Sequence, residues 1–179
     1  EAVLKDPQFS EAWNNLGVAK AELGRYEAAL PDYHQAIAID SNYTEAYYNR
    51  ANAYYALAQY STAIADLQKV IRAWPDSAQS YLSRGLLYYQ IQQYDSAMTD
   101  FQQSLKLKPG QPDALVNRGN LYYMQRQPEL AEADFRAVLA SQPNQPFAMN
   151  SLALILSDKG SYTEALQLLD KAIDAQPRQ

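Results

Sequence analysis

The sequence predicts an all-α protein made of one antiparallel helix pair repeated along the chain, and three observations predict it. The chain aligns with itself at an offset of 34 residues without insertion or deletion, in units that begin at Ser10, Thr44, Ala78, Pro112 and Pro146. Alanine stands at one place in every unit: Ala29, Ala63, Ala97, Ala131 and Ala165. Proline recurs at another, Pro75, Pro109, Pro143 and Pro177, with Ser41 in that place in the first unit. A fixed period of this length marks an array in which each unit buries its apolar face against its neighbours.

The first helix of each unit is read from apolar spacing. Trp13, Leu16, Gly17 and Lys20 fall at helical intervals. Their columns hold bulky residues at Trp13, Tyr47, Tyr81, Leu115 and Met149, and the two smallest side chains at Gly17, Ala51, Gly85, Gly119 and Ala153. The second helix follows from Ala29, Tyr33, Ala36 and Ile37, whose large column reads Tyr33, Leu67, Phe101, Phe135 and Leu169. Small residues on both helices let the axes approach to the short end of the usual ~8–10 Å, and the aromatics fill the space beside that contact. Proline then ends the second helix, because it lacks an amide and restrains the residue before it. In the first unit Asp40-Ser41-Asn42 can make the same turn through side-chain hydrogen bonds. Pro128 stands where the other units have tyrosine, which fits the first position of a helix.

"AWNNLG" at 12–17, "NRGNLYY" at 117–123 and the proline column resemble the tetratricopeptide repeat family, and the resemblance runs over essentially the whole chain. It implies a right-handed α-solenoid of antiparallel helix pairs, a superhelix whose first helices line a concave groove. The units are then 10–43, 44–77, 78–111, 112–145 and 146–179, one continuous solenoid, with 1–9 as the tail of a preceding repeat. Pro7 lies two periods before Pro75, and Ala2-Val3 aligns with Ala36-Ile37. Glu1 opens neither an initiator methionine nor a signal peptide, so the expectation is an excised or processed piece. An array without a polar cap exposes its last helix, which makes Leu166, Leu169 and Ile173 candidates for surface. Either the parent protein continues, or such ends pair in a homodimer.

Charge and composition exclude several functions. Net charge is −5 with 15 scattered Lys and Arg, not the basic face that displaces counterions from nucleic acid. No apolar run reaches the ~20 residues of a membrane span, so a soluble chain without membrane insertion is expected. With no cysteine, one histidine (His34) and no phosphate-cradling glycine loop, neither an enzyme nor a cofactor or metal site is expected. The absence of cysteine fits cytoplasm and periplasm alike.

Arg50, Arg84 and Arg118 replace the leucine kept at Leu16 and Leu152, while the second helices carry Asp32, Asp66, Asp100 and Asp134 in one column. Ion pairs follow, either within a unit (Arg50–Asp66) or between neighbours (Asp32–Arg50), and the sequence leaves both open. The alternative is an anion-binding arginine row.

The complement of the packing stripe on the first helix is Glu11, Asn14, Asn15, Val18, Ala21 and Glu22, and these places should line the groove. One column reads Asn15, Asn49, Ser83, Asn117 and Ser151. A carboxamide both donates and accepts, so it can hold a peptide backbone without reading its side chains. The resemblance adds that some family members use such a row on an extended chain. With first helices roughly 10 Å apart and an extended chain rising about 3.3 Å per residue, Asn49 and Asn117 would grip amides about six residues apart. The other reading is that these groups solvate the groove or brace neighbouring helices. A second column holds Tyr55, Tyr89 and Tyr123, each the outer member of a Tyr-Tyr doublet, with Tyr48, Asn52 and Asn120 on the same face. Those rings either bind a partner or stack on the next repeat.

The cationic clamp by which chaperone-binding members of the family seize a terminal carboxylate finds no match. Its places hold Asn14, Val18, Asn49, Gln79 and Ser83 in the first three units, and Tyr48, Asn52, Ser83, Asp113 and Asn117 in the next window. In the last they hold Leu82, Leu86, Asn117, Phe147 and Ser151. No cation stands there to answer a carboxylate. The function read from the sequence is therefore a scaffold for a protein or extended peptide of unknown identity. The alternative is a spacer or oligomerisation module that associates through its terminal helices.

Overall fold

The computed structural model describes residues 8–175 and contains ten helices and no strand among them. First helices are α1 (Ser10–Glu22), α3 (Thr44–Ala56), α5 (Ala78–Gln90), α7 (Pro112–Met124) and α9 (Pro146–Asp158). Second helices are α2 (Tyr26–Ile39), α4 (Tyr60–Ala73), α6 (Tyr94–Leu107), α8 (Pro128–Ser141) and α10 (Tyr162–Asp174). Each first helix thus begins at the residue where the sequence period restarts. The tail at 1–9 lies almost wholly outside the described residues, as does Pro177.

The chain divides into two units, Glu1–Ala97 and Met98–Gln179. In the first, α2 packs on α1 and α4 on α3, and α3 and α5 lie on the second helix before them. In the second, α7 pairs with α8 and α9 with α10, with α9 against α8.

The small columns make the helix pairs close. The five column alanines are all buried. A Cβ added at Gly17 would sit 2.6 Å from the Tyr33 ring, and one at Gly119 would sit 3.1 Å from that of Phe135. Alanine appears in this column at Ala51 and Ala153, where leucine (Leu67, Leu169) replaces the aromatic. A methyl group on one helix is exchanged for a ring on the other.

Both kinds of turn repeat as well. After each first helix one residue takes the left-handed conformation: Gly24 (φ 72°), Ala58 (56°), Gln92 (60°), Arg126 (60°) and Gly160 (78°). The next amide then reaches back to the first helix, as Gln59 does to the Tyr54 carbonyl at 2.8 Å and Ser161 to that of Leu156 at 2.8 Å. Only two of these five places hold glycine, so the sequence did not show the column. After α4 and α8 the chain leaves the helical region at Trp74 (φ −125°, ψ 73°) and Gln142 (φ −132°, ψ 75°), each the residue before a proline. Asp40 has no proline after it and takes nearly the same conformation. Its Oδ1 accepts from the Asn42 amide at 2.9 Å, the turn expected there. Pro112, Pro128 and Pro146 each sit at the start of a helix, where the missing amide costs nothing.

Candidate protein-interaction face

The arginine row is structural in both units. Arg50 donates from Nε and Nη2 to the two Asp66 oxygens, both at 2.7 Å, and Arg118 does the same to Asp134 at 2.9 and 2.7 Å. These pairs lie within a repeat. Their acids are buried, so the fork-to-carboxylate geometry compensates the loss of water. Hydrogen bonding and burial act in opposite senses on each guanidinium, and the balance raises both above the ordinary arginine range. The Arg50 guanidinium also lies over the rings of Tyr47 and Tyr54, and that of Arg84 over Tyr81 and Tyr88. In the first repeat Leu16 holds the arginine place. Lys20, one turn on, pairs with Asp32 at 2.5 Å instead. Burial first, and then the Asp32 charge, push the neighbouring Tyr33 hydroxyl up to about 12.

In the first unit the residues expected on the face differ in exposure, and some are engaged with one another. Asn15, Asn52 and Tyr55 are exposed; Tyr48, Asn49, Ser83 and Tyr89 are half-buried. Asn14, expected beside them in the groove, is instead completely buried. Its Nδ2 donates to the Tyr43 hydroxyl at 3.3 Å, and its Oδ1 accepts from Asn49 Nδ2 at 3.0 Å. The cause is Tyr43, which lies in the turn before α3 and brings a hydroxyl to α1. Asn49 therefore braces the α1–α3 contact with its amide. Tyr55 and Tyr89 rest on the first residue of their own second helix, with ring centroids 6.1 Å from Tyr60 and 5.6 Å from Tyr94. The stacking is thus inside the repeat, and it leaves Tyr55 44 % exposed. Asn52, Tyr55 and Ser83 converge on a cleft of about 120 Å³ floored by Ala51, Leu67, Leu86 and Leu87. No Asp, Glu, His, Lys or Arg side chain lines it.

In the second unit Asn117, Asn120, Tyr123 and Ser151 are all half-buried. Asn117 turns back on its own helix and donates to the Asp113 carbonyl at 2.7 Å. The Tyr123 hydroxyl donates to Asp158 Oδ2 at 2.8 Å, and that bond raises it above the usual phenol range. Tyr123 opens onto a wider cleft of about 750 Å³ with Met124, Arg126, Glu129, Asp158 and Lys159. Lys159 reaches Glu132 at 2.8 Å and Glu129 at 3.5 Å, while Arg136 joins Glu132 at 2.8 Å to Glu164 at 2.9 Å. Hydrogen bonds from Lys159 and then Arg136 hold the Glu132 carboxyl below its ordinary range. The period alone did not single out this charged cluster, because Glu132, Lys159 and Glu164 fall in columns that are neutral in the other repeats.

His34 is exposed and its Nε2 lies 2.9 Å from the Tyr54 hydroxyl. Burial, and then the Arg50 charge, lower its pKa, which favours the neutral ring. Among the described residues no three His, Cys, Asp or Glu are grouped to hold a metal ion. No described helix is long and apolar enough to cross a membrane.

Tetratricopeptide repeat models match residues 10–43, 48–112 and 116–179. No curated protein matches the sequence. Among solved structures, a crystal structure of MamA superposes with a TM-score of 0.82 at 23 % identity, over 89 % of this chain and 93 % of that one. YrrB, described as a TPR protein with an unusual peptide-binding site, gives 0.80 at 24 % identity over 98 % and 91 %. PilF of Pseudomonas aeruginosa gives 0.83 at 20 % over 95 % and 78 %. These likenesses are of fold, the all-α solenoid of antiparallel helix pairs. With family models covering nearly all of its length, the chain belongs to the tetratricopeptide repeat family.

Proposed function

We propose that this chain is a protein-interaction scaffold that holds an extended, uncharged segment of a partner against the face of its first helices. The observation that carries the reading is the cleft in the first unit, where Asn52, Tyr55 and Ser83 rim a floor of leucines. Tyr55 offers apolar area with a polar tip, as interface tyrosines do. Asn52 can donate to and accept from a backbone in register. Each such hydrogen bond contributes only ~0.5–1.5 kcal/mol net, so the amides position a segment and the apolar floor supplies the affinity. The fold supports it too, since the similar YrrB is described as having a peptide-binding site. No cation lines the cleft, so the segment is held by its backbone and an apolar side chain rather than by a terminal carboxylate. The triple variant Tyr55→Ala, Tyr89→Ala, Tyr123→Ala should lose the partner in a pull-down while its helical circular dichroism is retained. Unchanged capture would rule the reading out.

A second reading has its own observation. On α10, Tyr162, Leu166 and Ile173 are 64, 61 and 69 % exposed, an apolar stripe on the last described helix. That stripe suits a module that associates through its terminal helices.

A further inference from the structure

We propose that the cleft between the turn before α3 and the end of α4 binds a phosphate monoester. The cleft has a volume of about 370 Å³ and lies wholly within the first unit. Its polar lining is Ser41, Asn42, Thr44, Tyr47, Lys69 and Arg72, and no Asp or Glu lines it. Lys69 and Arg72 stand three residues apart on α4, which puts them on one face of the helix. Neither meets a carboxylate at ion-pair distance among the described residues, although the chain is acidic overall. Lys69 instead donates from Nζ to the Tyr47 hydroxyl at 3.2 Å, and lies 4.6 Å from the centre of that ring. Tyr47 is the buried member of the set, 5 % exposed. Its hydroxyl gives a lone pair to Lys69, and its own proton meets no acceptor among the described residues. A buried phenol with an unused proton, beside two cations away from any acid, is arranged for a ligand that brings oxygen acceptors and negative charge.

The second repeat departs from the period at the places that build this cleft. Ser41 stands where the later units have proline, which brings no donor. The place of Thr44 holds Ala78, Pro112 and Pro146 in those units. That of Lys69 holds Gln35, Gln103, Ala137 and Lys171, and that of Arg72 holds Ala38, Lys106, Ala140 and Asp174. No other unit has a cation at both places. Packing of the helix pair does not call for them, since Lys69 and Arg72 are exposed while Val70 and Ile71 between them are buried. Charge then selects among oxyanions. A carboxylate answers one of the two cations, whereas a phosphate monoester carries about −1.5 to −2 at neutral pH and answers both. The Arg72 fork suits two phosphate oxygens side by side, and the Tyr47 proton and Ser41 hydroxyl suit the remaining one. The phosphate can be carried on a side chain of a partner protein or on a small molecule. This site is separate from the cleft proposed to hold an uncharged segment, since Tyr47 and Tyr55 lie roughly 12 Å apart along the α3 axis.

Titration of the isotope-labelled full chain, followed by its amide chemical shifts, tests the site. The probes are inorganic phosphate and capped tripeptides whose central residue is serine, glutamate or phosphoserine between glycines. Phosphate and the phosphoserine peptide should give saturable shifts centred on 41–47 and 69–73, and the serine peptide none. The glutamate peptide should bind more weakly than the phosphoserine peptide by about tenfold or more, and Arg72→Ala should weaken the latter by a similar factor. Tyr47→Phe keeps the ring beneath Lys69 and should weaken it severalfold. Lys69 and Arg72 are exposed and alanine favours helix, so circular dichroism of Lys69→Ala and Arg72→Ala should match the wild type. Tighter binding of the phosphoserine peptide than of inorganic phosphate identifies a phosphorylated partner segment. Equal binding identifies a small phosphate compound, and either result upholds the site. Absence of saturable shifts, equal affinity for the glutamate and phosphoserine peptides, or binding unmoved by Arg72→Ala would each overturn it. The triple variant Tyr55→Ala, Tyr89→Ala, Tyr123→Ala should bind the phosphoserine peptide as the wild type does, so this site and the face of the first helices fail separately.

Discussion

Ile64 and Ile91 in the first unit hold the same two register places as Glu132 and Lys159 in the second. Ile64 belongs to a buried cluster with Leu67 and Leu87, and the partly buried Ile91 packs against it. The charged pair meets at 2.8 Å with the lysine side chain 33 % exposed, in a network that extends through Arg136 to Glu164. Register therefore decides which positions meet, and leaves open what chemistry meets there. At these two places the first unit joins its repeats by apolar contact, the second by ions at the surface. Burial of an aliphatic side chain contributes about 1.5–3 kcal/mol and does not depend on ionic strength, whereas exposed ion pairs contribute little and are screened.

The largest effect should come from the feature the two units share. Asp66→Ala leaves the Arg50 guanidinium enclosed with no carboxylate, and should cost roughly 3 kcal/mol, the low end for a buried pair, because the Arg50 side chain keeps 15 % of its surface in water. Asp134→Ala should cost less, since the Arg118 side chain is 23 % exposed. Urea denaturation of the two variants gives the order directly, and equal or inverted losses would contradict it.

The junction contrast is sharpened by truncating one member on each side. Ile64→Ala should destabilise by about 2–4 kcal/mol at any salt concentration. Lys159→Met should have a far smaller effect, present in dilute buffer and absent near 1 M salt, where screening falls to about 3 Å. Thermal unfolding in both buffers checks this. A salt-independent loss for Lys159→Met would erase the distinction between the units.

The smallest effect concerns the turns, where the units alternate between glycine and residues that resist the left-handed region. Ala58→Gly, Gln92→Gly and Arg126→Gly should each raise stability by up to about 1 kcal/mol, as the strain of a side chain at φ near 60° is relieved. Gly24→Ala and Gly160→Ala should lower it by a similar amount, since both stand at φ above 70°. Differential scanning calorimetry resolves shifts of this size, and a gain at Gly24→Ala would contradict the account.

Particular residues show where sequence reading stopped. The register places Leu166, Leu169 and Ile173 on one stripe of the second helix, and they are 61, 37 and 69 % exposed. Tyr55 was assigned outward and Tyr54 inward from helical spacing, and they are 44 % and 8 % exposed. Asn14 was assigned to the groove by the same spacing and is completely buried. Helical phase reports the direction in which a side chain leaves its helix, whereas burial depends on what another segment brings to that spot. Here Tyr43 does so from the turn before α3.

The sequence by itself determined the repeat, the starts of the helices and the small-against-large packing of each pair, because a 3.6-residue helical period nested in a 34-residue repeat leaves one consistent alignment. Only the tertiary structure decided that Arg50 and Arg118 pair within their repeats, that Asn49 is spent on Asn14, and that Asn52, Tyr55 and Ser83 share one cleft. These are choices between partners on neighbouring helices at similar reach. Side-chain lengths and spacings are the same for either partner, so only the positions of the neighbouring helices separate them.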